Sequence, residues 1–416
     1  MLQQIPPRLK FNPVPPTGVA HQRRECDDGT YYLIVNSSPK DWTARISIPE
    51  AGGIQWLNPE SGEKEVYAGS IHLSAGSAGV LWINPRLAPV QVTPPIHSSS
   101  KPGLPLELLE ARALEPNVLV LDTCALEVRG ECFPRQLVYE SNRIFWKKNG
   151  METNGWASTV QYRDNLLSAN AQMSSDSGGI ARYPFVIGPG TDLRQIDLCF
   201  ECPEQWQVRV NGHAVKTDNG SRWLDCHITR IKIGFLLREG ENLIELIAQP
   251  FDVRQEIDQV YLLGSFAVHA GQPGFVLGPK SGSLGLGSWK SQGLPFYDRK
   301  VAYRFLRPKG AGRVVLSKAD WYGSVLDFTC GQRHIQTYGP CLDVSLSEED
   351  MEEFTLTVTG LPLNLLGPWH KPSLLPKHGW ASFWHGGDIP NAPQAGKDYH
   401  LLDLGLFSAP RWVDGC

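Results

Sequence analysis

The chain has 416 residues, 41% hydrophobic and 20% charged. That excludes general disorder, because a disordered chain lacks apolar residues and carries a high net charge. Lys plus Arg is 39 against Asp plus Glu at 43, a net charge of −4. Neither a nucleic-acid partner nor attraction to an anionic membrane is expected from that balance. At roughly 100–200 residues per domain, the length predicts two to four domains.

Gly 41 and Pro 32 are both generous, as are Trp 13, Tyr 12 and Phe 15. Many short strands joined by turns produce this composition. The N-terminus, Met1-Leu2-Gln3-Gln4-Ile5-Pro6-Pro7-Arg8, has no apolar signal region. No stretch approaches the roughly 20 apolar residues of a spanning helix. The 9 cysteines are odd in number and scattered, which predicts free thiols in a reducing compartment. A cytoplasmic location is therefore expected over a secreted one, unless the chain is truncated at its N-terminus.

Residues 1–29 read as an irregular, Pro-rich segment. Strand patterns then begin. Tyr31-Tyr32-Leu33-Ile34-Val35 is an apolar run, and Ala44-Arg45-Ile46-Ser47-Ile48 alternates with period two, as a half-buried strand does. Gly53–Leu57 and Gly79–Ile83 continue the pattern, with turn chemistry at Asn58-Pro59-Glu60-Ser61-Gly62 between them. Residues 30–85 are predicted as a small β-sandwich. Residues 86–116 read as a Pro/Ser-rich linker with one short helical patch, Leu106-Glu107-Leu108-Leu109-Glu110.

Residues 117–268 open with the buried strand Asn117–Leu121 and carry a polar insertion, 134–180, with helical character. Alternating strands resume at Ala181–Ile187, and Val210-Asn211-Gly212-His213 is a type I′ hairpin signal. Residues 275–411 repeat the plan, with Phe354–Thr359 alternating cleanly. The fold class expected is all-β, as tandem β-sandwiches.

The later units resemble the galactose-binding-like jelly-roll modules known as the sugar-binding domain of glycoside hydrolase family 2. The order of motifs is similar to large bacterial glycoside hydrolases of the α-L-rhamnosidase-like type. The residues concerned are His21-Gln22-Arg23-Arg24 with Asp27–Ser37, Trp56–Gly62, Val208–Gly212, Leu236–Leu246, Gln292–Tyr297 and Asn364–His370. The resemblance covers about residues 21–411. It implies that 117–268 and 275–411 are jelly rolls of this sugar-binding type. The chain departs from the pattern at Phe328-Thr329-Cys330-Gly331, where the module has Val-Asn-Gly. It also lacks the roughly 250 residues of a (β/α)8 barrel. In the resembled enzymes that barrel holds the catalytic carboxylates, so no catalytic residue is carried over. The implied role is accessory: docking to a barrel lying upstream if the chain is a fragment, and contact with a carbohydrate or glycoside. The alternatives are a free-standing lectin-like protein, a glycosidase active by itself, and a purely structural module.

Glycoside hydrolysis needs two carboxylates flanking one bond, and no spacing among Asp320, Asp327 and Glu348-Glu349-Asp350 singles out a pair. No nucleophile or metalloprotease motif occurs. Cys199-Phe200-Glu201-Cys202 has no second cysteine pair, so a zinc site is not expected. Gly282–Gly287 lacks the Lys and helix of a phosphate loop and reads as a flexible turn. No cofactor is expected. A structural calcium, which some modules of this class hold through loop oxygens, has no motif behind it here. Residues 369–385 gather Trp369, His370, Trp380, Trp384 and His385. Rings that stack on pyranose faces, beside side chains that bond hydroxyls, are what a shallow sugar site needs. The competing reading is that these rings pin an irregular segment onto the sandwich. Asp320 and Trp321 form a second candidate of the same kind.

Overall fold

The computed structural model describes residues 9–414 except 39, 49–51, 60–61, 63, 68, 89–102, 152–167, 169–172, 218–219, 272–273, 281, 338–340, 371–392 and 396. The protein is all-β, built as tandem sandwiches. Contacts within the chain divide it into two units. The first is Met1–Leu109 with Tyr303–Val358 and Leu406–Cys416; the second is Glu110–Ala302 with Thr359–Gly405. These boundaries differ from the sequence reading, which ran 117–268 and 275–411 as separate stretches. Among the described residues, no helix is long and apolar enough to cross a membrane.

In the first unit, residues 9–84 form a small sandwich. One sheet has three strands, Lys10–Asn12, Trp42–Ser47 and Ser70–Leu73; the other has five, in the order Val19–Cys26, Gly29–Asn36, Ser77–Asn84, Gly53–Leu57 and Lys64–Val66. Two strands thus occupy the stretch before residue 30 that the Pro-rich sequence led us to expect as irregular. Alternation explains the core: Tyr32 and Ile34 point inward from one strand, Leu81 and Ile83 from its neighbour, and both pairs pack with Trp42 and Ile71. Truncating one such side chain to Ala costs about 2–5 kcal/mol.

The rest of the first unit is a second sandwich. Leu342–Leu346, Gly312–Leu316 and Arg411–Asp414 are successive strands of one sheet, and Glu353–Thr359, Val325–Cys330 and Arg333–Thr337 of the other. The departure seen at Phe328–Gly331 is a two-residue turn, Gly331-Gln332, closing the pair Cys330↔Arg333. Gly331 alone of the two has a positive φ, +57°, as a type II′ hairpin requires.

The second unit is a larger sandwich. Its eight-stranded sheet runs Glu131–Leu137, Thr123–Val128, Gly179–Ile187, Gly240–Ala248, Gln207–Val210, His213–Val215, with the hairpin Phe266–Gly271/Gly274–Pro279 added alongside Gly179–Ile187. The other sheet has five strands, Asn117–Leu121, Val260–Gly264, Asp197–Glu201, Asp225–Lys232 and Ser221–Trp223. Ala181, Tyr183, Phe185 and Ile187 alternate into the shared core. Asn211 and Gly212, with φ of +51° and +82°, make the two-residue turn that the Asn-Gly pair predicts.

The polar insertion contains the helix Val138–Lys148. It buries Phe145 and Trp146 completely and ends where Gly150 takes a φ of +89°, a conformation that costs glycine little. Of the helical patch expected at Leu106–Glu110, all but Leu106 instead opens the strand Glu107–Ala113. Its Leu-Glu-Leu-Leu-Glu order satisfies either period over so few residues.

Candidate functional site

A cleft of about 630 Å³ opens in the second unit, where the strand Asp197–Glu201 ends. Beyond Glu201 the chain turns sharply: Cys202 has a φ of +47° and caps the short turn Pro203–Gln205. Its backbone N–H donates to the His227 carbonyl at 3.0 Å, and the Gln205 N–H donates back to Cys202 at 3.0 Å. Opposite runs the segment 254–260, which arrives because Cys199 and Tyr261 are register partners. Gln255 ties the two sides, donating from Nε2 to the Gln205 carbonyl at 2.6 Å and accepting from Trp146 Nε1 at 3.1 Å on its own carbonyl.

The floor of the cleft is apolar, from Phe200, Trp206 and Leu246. Trp206 is only 6% exposed and leans on Phe145, centroids 6.0 Å apart, so it is a floor rather than a free stacking face. The walls carry Glu201, Glu204, Glu256 and Asp258, with Gln205, Gln259, His227 and Arg254. Arg254 is held by Asp252 at 2.8 Å. The result is a negative field. Partial burial, with the charges of Glu201, Glu204 and Glu256, pushes the Cys202 thiol up to about 11. The surrounding protein, with Glu256 and Glu201, lifts the Asp258 carboxyl to about 7, against the opposing hydrogen bond from the Gln259 N–H. Asp258 keeps exposed surface inside the cleft, and its carbonyl accepts from Tyr183 Oη at 2.8 Å. Carboxylates and amides of this kind accept and donate hydrogen bonds as sugar hydroxyls require.

The residues singled out in the sequence lie elsewhere. Asp320 belongs to the first unit, where Oδ2 accepts from the Ser317 N–H at 2.7 Å and hydroxyl at 2.6 Å, closing a short 3-10 turn. Its neighbour Trp321 is 5% exposed. Trp369 and His370 lie together in the second unit. Trp369 is buried, and its Nε1 donates to the Asn364 carbonyl at 2.9 Å. Both ring nitrogens of His370 are used internally: Nδ1 lies 2.8 Å from the Asp398 carbonyl and Nε2 2.8 Å from Asp122 Oδ2. The Tyr399 hydroxyl donates to Asp122 Oδ1 at 2.5 Å. Trp380, Trp384 and His385 lie outside the described residues.

Sequence reading missed the cleft residues. Glu201, Glu204, Glu256 and Asp258 follow no motif spacing, and only the antiparallel pairing of Asp197–Glu201 with Val260–Gly264 brings them together. Of the Cys-x-x-Cys pair, Cys199 is buried in the core and Cys202 sits at the cleft, both as free thiols. One group of three potential metal ligands occurs among the described residues, Asp225, Cys226 and His227, with ligand atoms within 4.8 Å of one another. Its mixed oxygen, sulfur and nitrogen donors suit a zinc-like ion rather than calcium.

No family model matches the chain, and no curated protein matches it. Similar solved structures include a rhamnosidase from Novosphingobium sp. PP1Y, 12% identical over 61% of this chain and 25% of that one, with a TM-score of 0.19. A β-D-glucuronidase from Dictyoglomus thermophilum is 11% identical over 57% of this chain and 39% of that one, with a TM-score of 0.24. The exo-chitosanase of Amycolatopsis orientalis is 15% identical over 58% and 29%, with a TM-score of 0.24. The chain therefore spans well under half the length of each of these proteins. At such TM-scores the likeness carries no argument about activity.

Proposed function

We propose that this chain is a carbohydrate-binding accessory portion of a glycoside hydrolase, without catalytic residues of its own, and that it holds saccharide in the cleft beside Cys202. The observation that carries the reading is the cleft itself, about 630 Å³ with an apolar floor and walls of carboxylates and amides. That size and that pattern of polar groups over apolar surface are usual for small-molecule sites. The sequence motifs between residues 21 and 411 support the link to glycoside hydrolases. The test is titration of the full chain with a panel of neutral oligosaccharides by calorimetry. Saturable binding that is lost in Glu204→Gln/Glu256→Gln supports the reading. Absence of binding across the panel, or binding unchanged in that variant, overturns it.

Asp258 favours a second reading, a glycosidase active by itself. Its carboxyl is raised towards neutrality beside Glu201 and Glu256, the direction a general acid working at neutral pH needs. Turnover of an aryl glycoside that disappears in Asp258→Asn would establish it in place of the first.

A further inference from the structure

A second cleft, of about 850 Å³, lies elsewhere in the second unit, and it has the opposite charge. Its lining brings together Arg112, Arg194, Arg230, Lys232 and Lys280. The chain as a whole is acidic, at −4, so this concentration of cations does not follow from composition. Two of the five are already held: Arg194 by Asp192 at 2.9 Å, and Arg230 by Asp197. Arg112, Lys232 and Lys280 make no ion pair with any described residue and are solvent-exposed. Three acids share the lining, Glu110, Glu115 and Asp197, against five cations; Asp197 is taken by Arg230, and Glu115 lies 3.6 Å from Arg299.

The cleft is built rather than accidental. Arg230 and Lys232 are two apart on the strand Asp225–Lys232, and the inward positions Thr229 and Ile231 alternate with them, so both cations stand on the outer face. The Asn117 amide braces the floor, donating to the carbonyls of Phe266 and Gly293 at 2.8 Å each. The Gly-rich stretch expected to be a flexible turn forms one wall and is tied down. Leu284 N–H donates to the Ala111 carbonyl at 3.1 Å, and Gly285 N–H donates to Gln292 Oε1 at 2.7 Å.

We propose that this cleft binds an acidic saccharide, a sugar carrying carboxylate or sulfate groups. The free cations supply the anion contacts, and Gln195, Ser265 and Ser283 supply partners for hydroxyls. A concave wall with an excess of positive charge focuses the field on an incoming anion. Single-stranded nucleic acid is disfavoured because the one aromatic residue of the lining, Phe266, is 2% exposed and offers no face for a base to stack on. That the anion is a saccharide rests on the function proposed above; the electrostatics of the cleft do not.

The test uses the full chain with polygalacturonate, dextran sulfate and neutral dextran as probes, at low and high salt. A carboxylate preference shows as binding to the first, a sulfate preference as binding to the second. Expected is salt-sensitive binding to one or both, weakened about tenfold or more in Arg112→Ala/Lys232→Ala/Lys280→Ala, since three lost charge contacts at about 0.5 kcal/mol each amount to that factor. All three side chains are exposed, so the variant should fold. Binding should survive in Glu204→Gln/Glu256→Gln. Survival there, with neutral oligosaccharides failing to bind, would sink the carboxylate-cleft reading and leave this one standing. No binding to either polyanion at low salt, equal affinity in the triple variant, or equally tight binding of duplex DNA overturns the proposal.

Discussion

His370 Nε2 lies 2.8 Å from Asp122 Oδ2, joining residues 248 apart in the chain within the second unit. Asp122 also accepts from the Tyr399 hydroxyl, and the side chains of Asp122 and His370 are 5% and 7% exposed. The His370 ring meets Tyr399 edge-on at 4.6 Å, and Tyr399 meets Phe275 at 4.9 Å. Asp122 is thus the shared acceptor of two donors, the enclosed His370 ring and the half-buried Tyr399 hydroxyl. Asp122→Ala removes the acceptor from both, and a loss of about 3–5 kcal/mol in unfolding free energy is expected. Asp122→Asn, which keeps one acceptor, should lose less. Urea denaturation measures both, and a change below about 0.5 kcal/mol in Asp122→Ala would show that the network adds nothing.

The same pair sets a pH dependence. Burial alone lowers the His370 pKa. The hydrogen bond and charge of Asp122, with the Asp398 carbonyl and charge, outweigh it, so the net direction is up. A histidine whose folded pKa exceeds its unfolded value adds stability that is complete below the unfolded pKa, about 6.5. That stability is lost as pH rises through the folded value. His370→Gln should therefore cost most below about pH 6.5 and progressively less as the pH rises above it. Melting curves of both proteins at several pH values give the difference, and a gap that widens with pH would reverse the assigned direction.

The sequence carried the strands because their alternation is local. The run from Ala181 to Ile187 buries every second residue as written, and Asn211-Gly212 makes the turn its residue types demand. Leu106–Glu110 misled because five residues do not separate a period of 3.6 from a period of 2. Trp369 and His370 were singled out by residue type, and residue type does not distinguish a ring that faces a ligand from one that locks an internal network. The partner that decides the matter, Asp122, comes from the other end of the unit. Both clefts were invisible for the same reason: their walls come from segments that meet only through sheet order.

In the first unit, Arg307 is 3% exposed and its guanidinium is saturated by carbonyls. Nε donates to Met351 at 3.0 Å, Nη1 to Gly310 at 2.7 Å and Pro308 at 3.2 Å, and Nη2 to Ser347 at 3.0 Å and to Asp350. The group also lies 5.5 Å over the Trp412 ring. A lysine has three donors on one atom and cannot reach carbonyls spread around a planar fork. Arg307→Lys should cost about 2–3 kcal/mol, and Arg307→Met more, because buried carbonyls then lose their donors. Urea denaturation followed by tryptophan fluorescence tests this, and wild-type stability in Arg307→Met would refute it.

Asp258 gives the opposite pH signature to His370. Its carboxyl rises from 3.8 to about 7 on folding, chiefly through the protein around it. Between those values the unfolded chain releases the proton while the folded chain retains it, so stability falls as pH climbs from 3.8 towards 7 and levels off above. Because Asp258 keeps exposed surface in the cleft, solvent screening reduces the size of the fall. Asparagine cannot ionise. Asp258→Asn should match the wild type near about pH 4 and become the more stable protein by about pH 8. Thermal melts across that range read the difference directly. A difference that stays flat with pH would mean the carboxyl ionises normally, and the glycosidase reading would lose the protonated acid on which it rests.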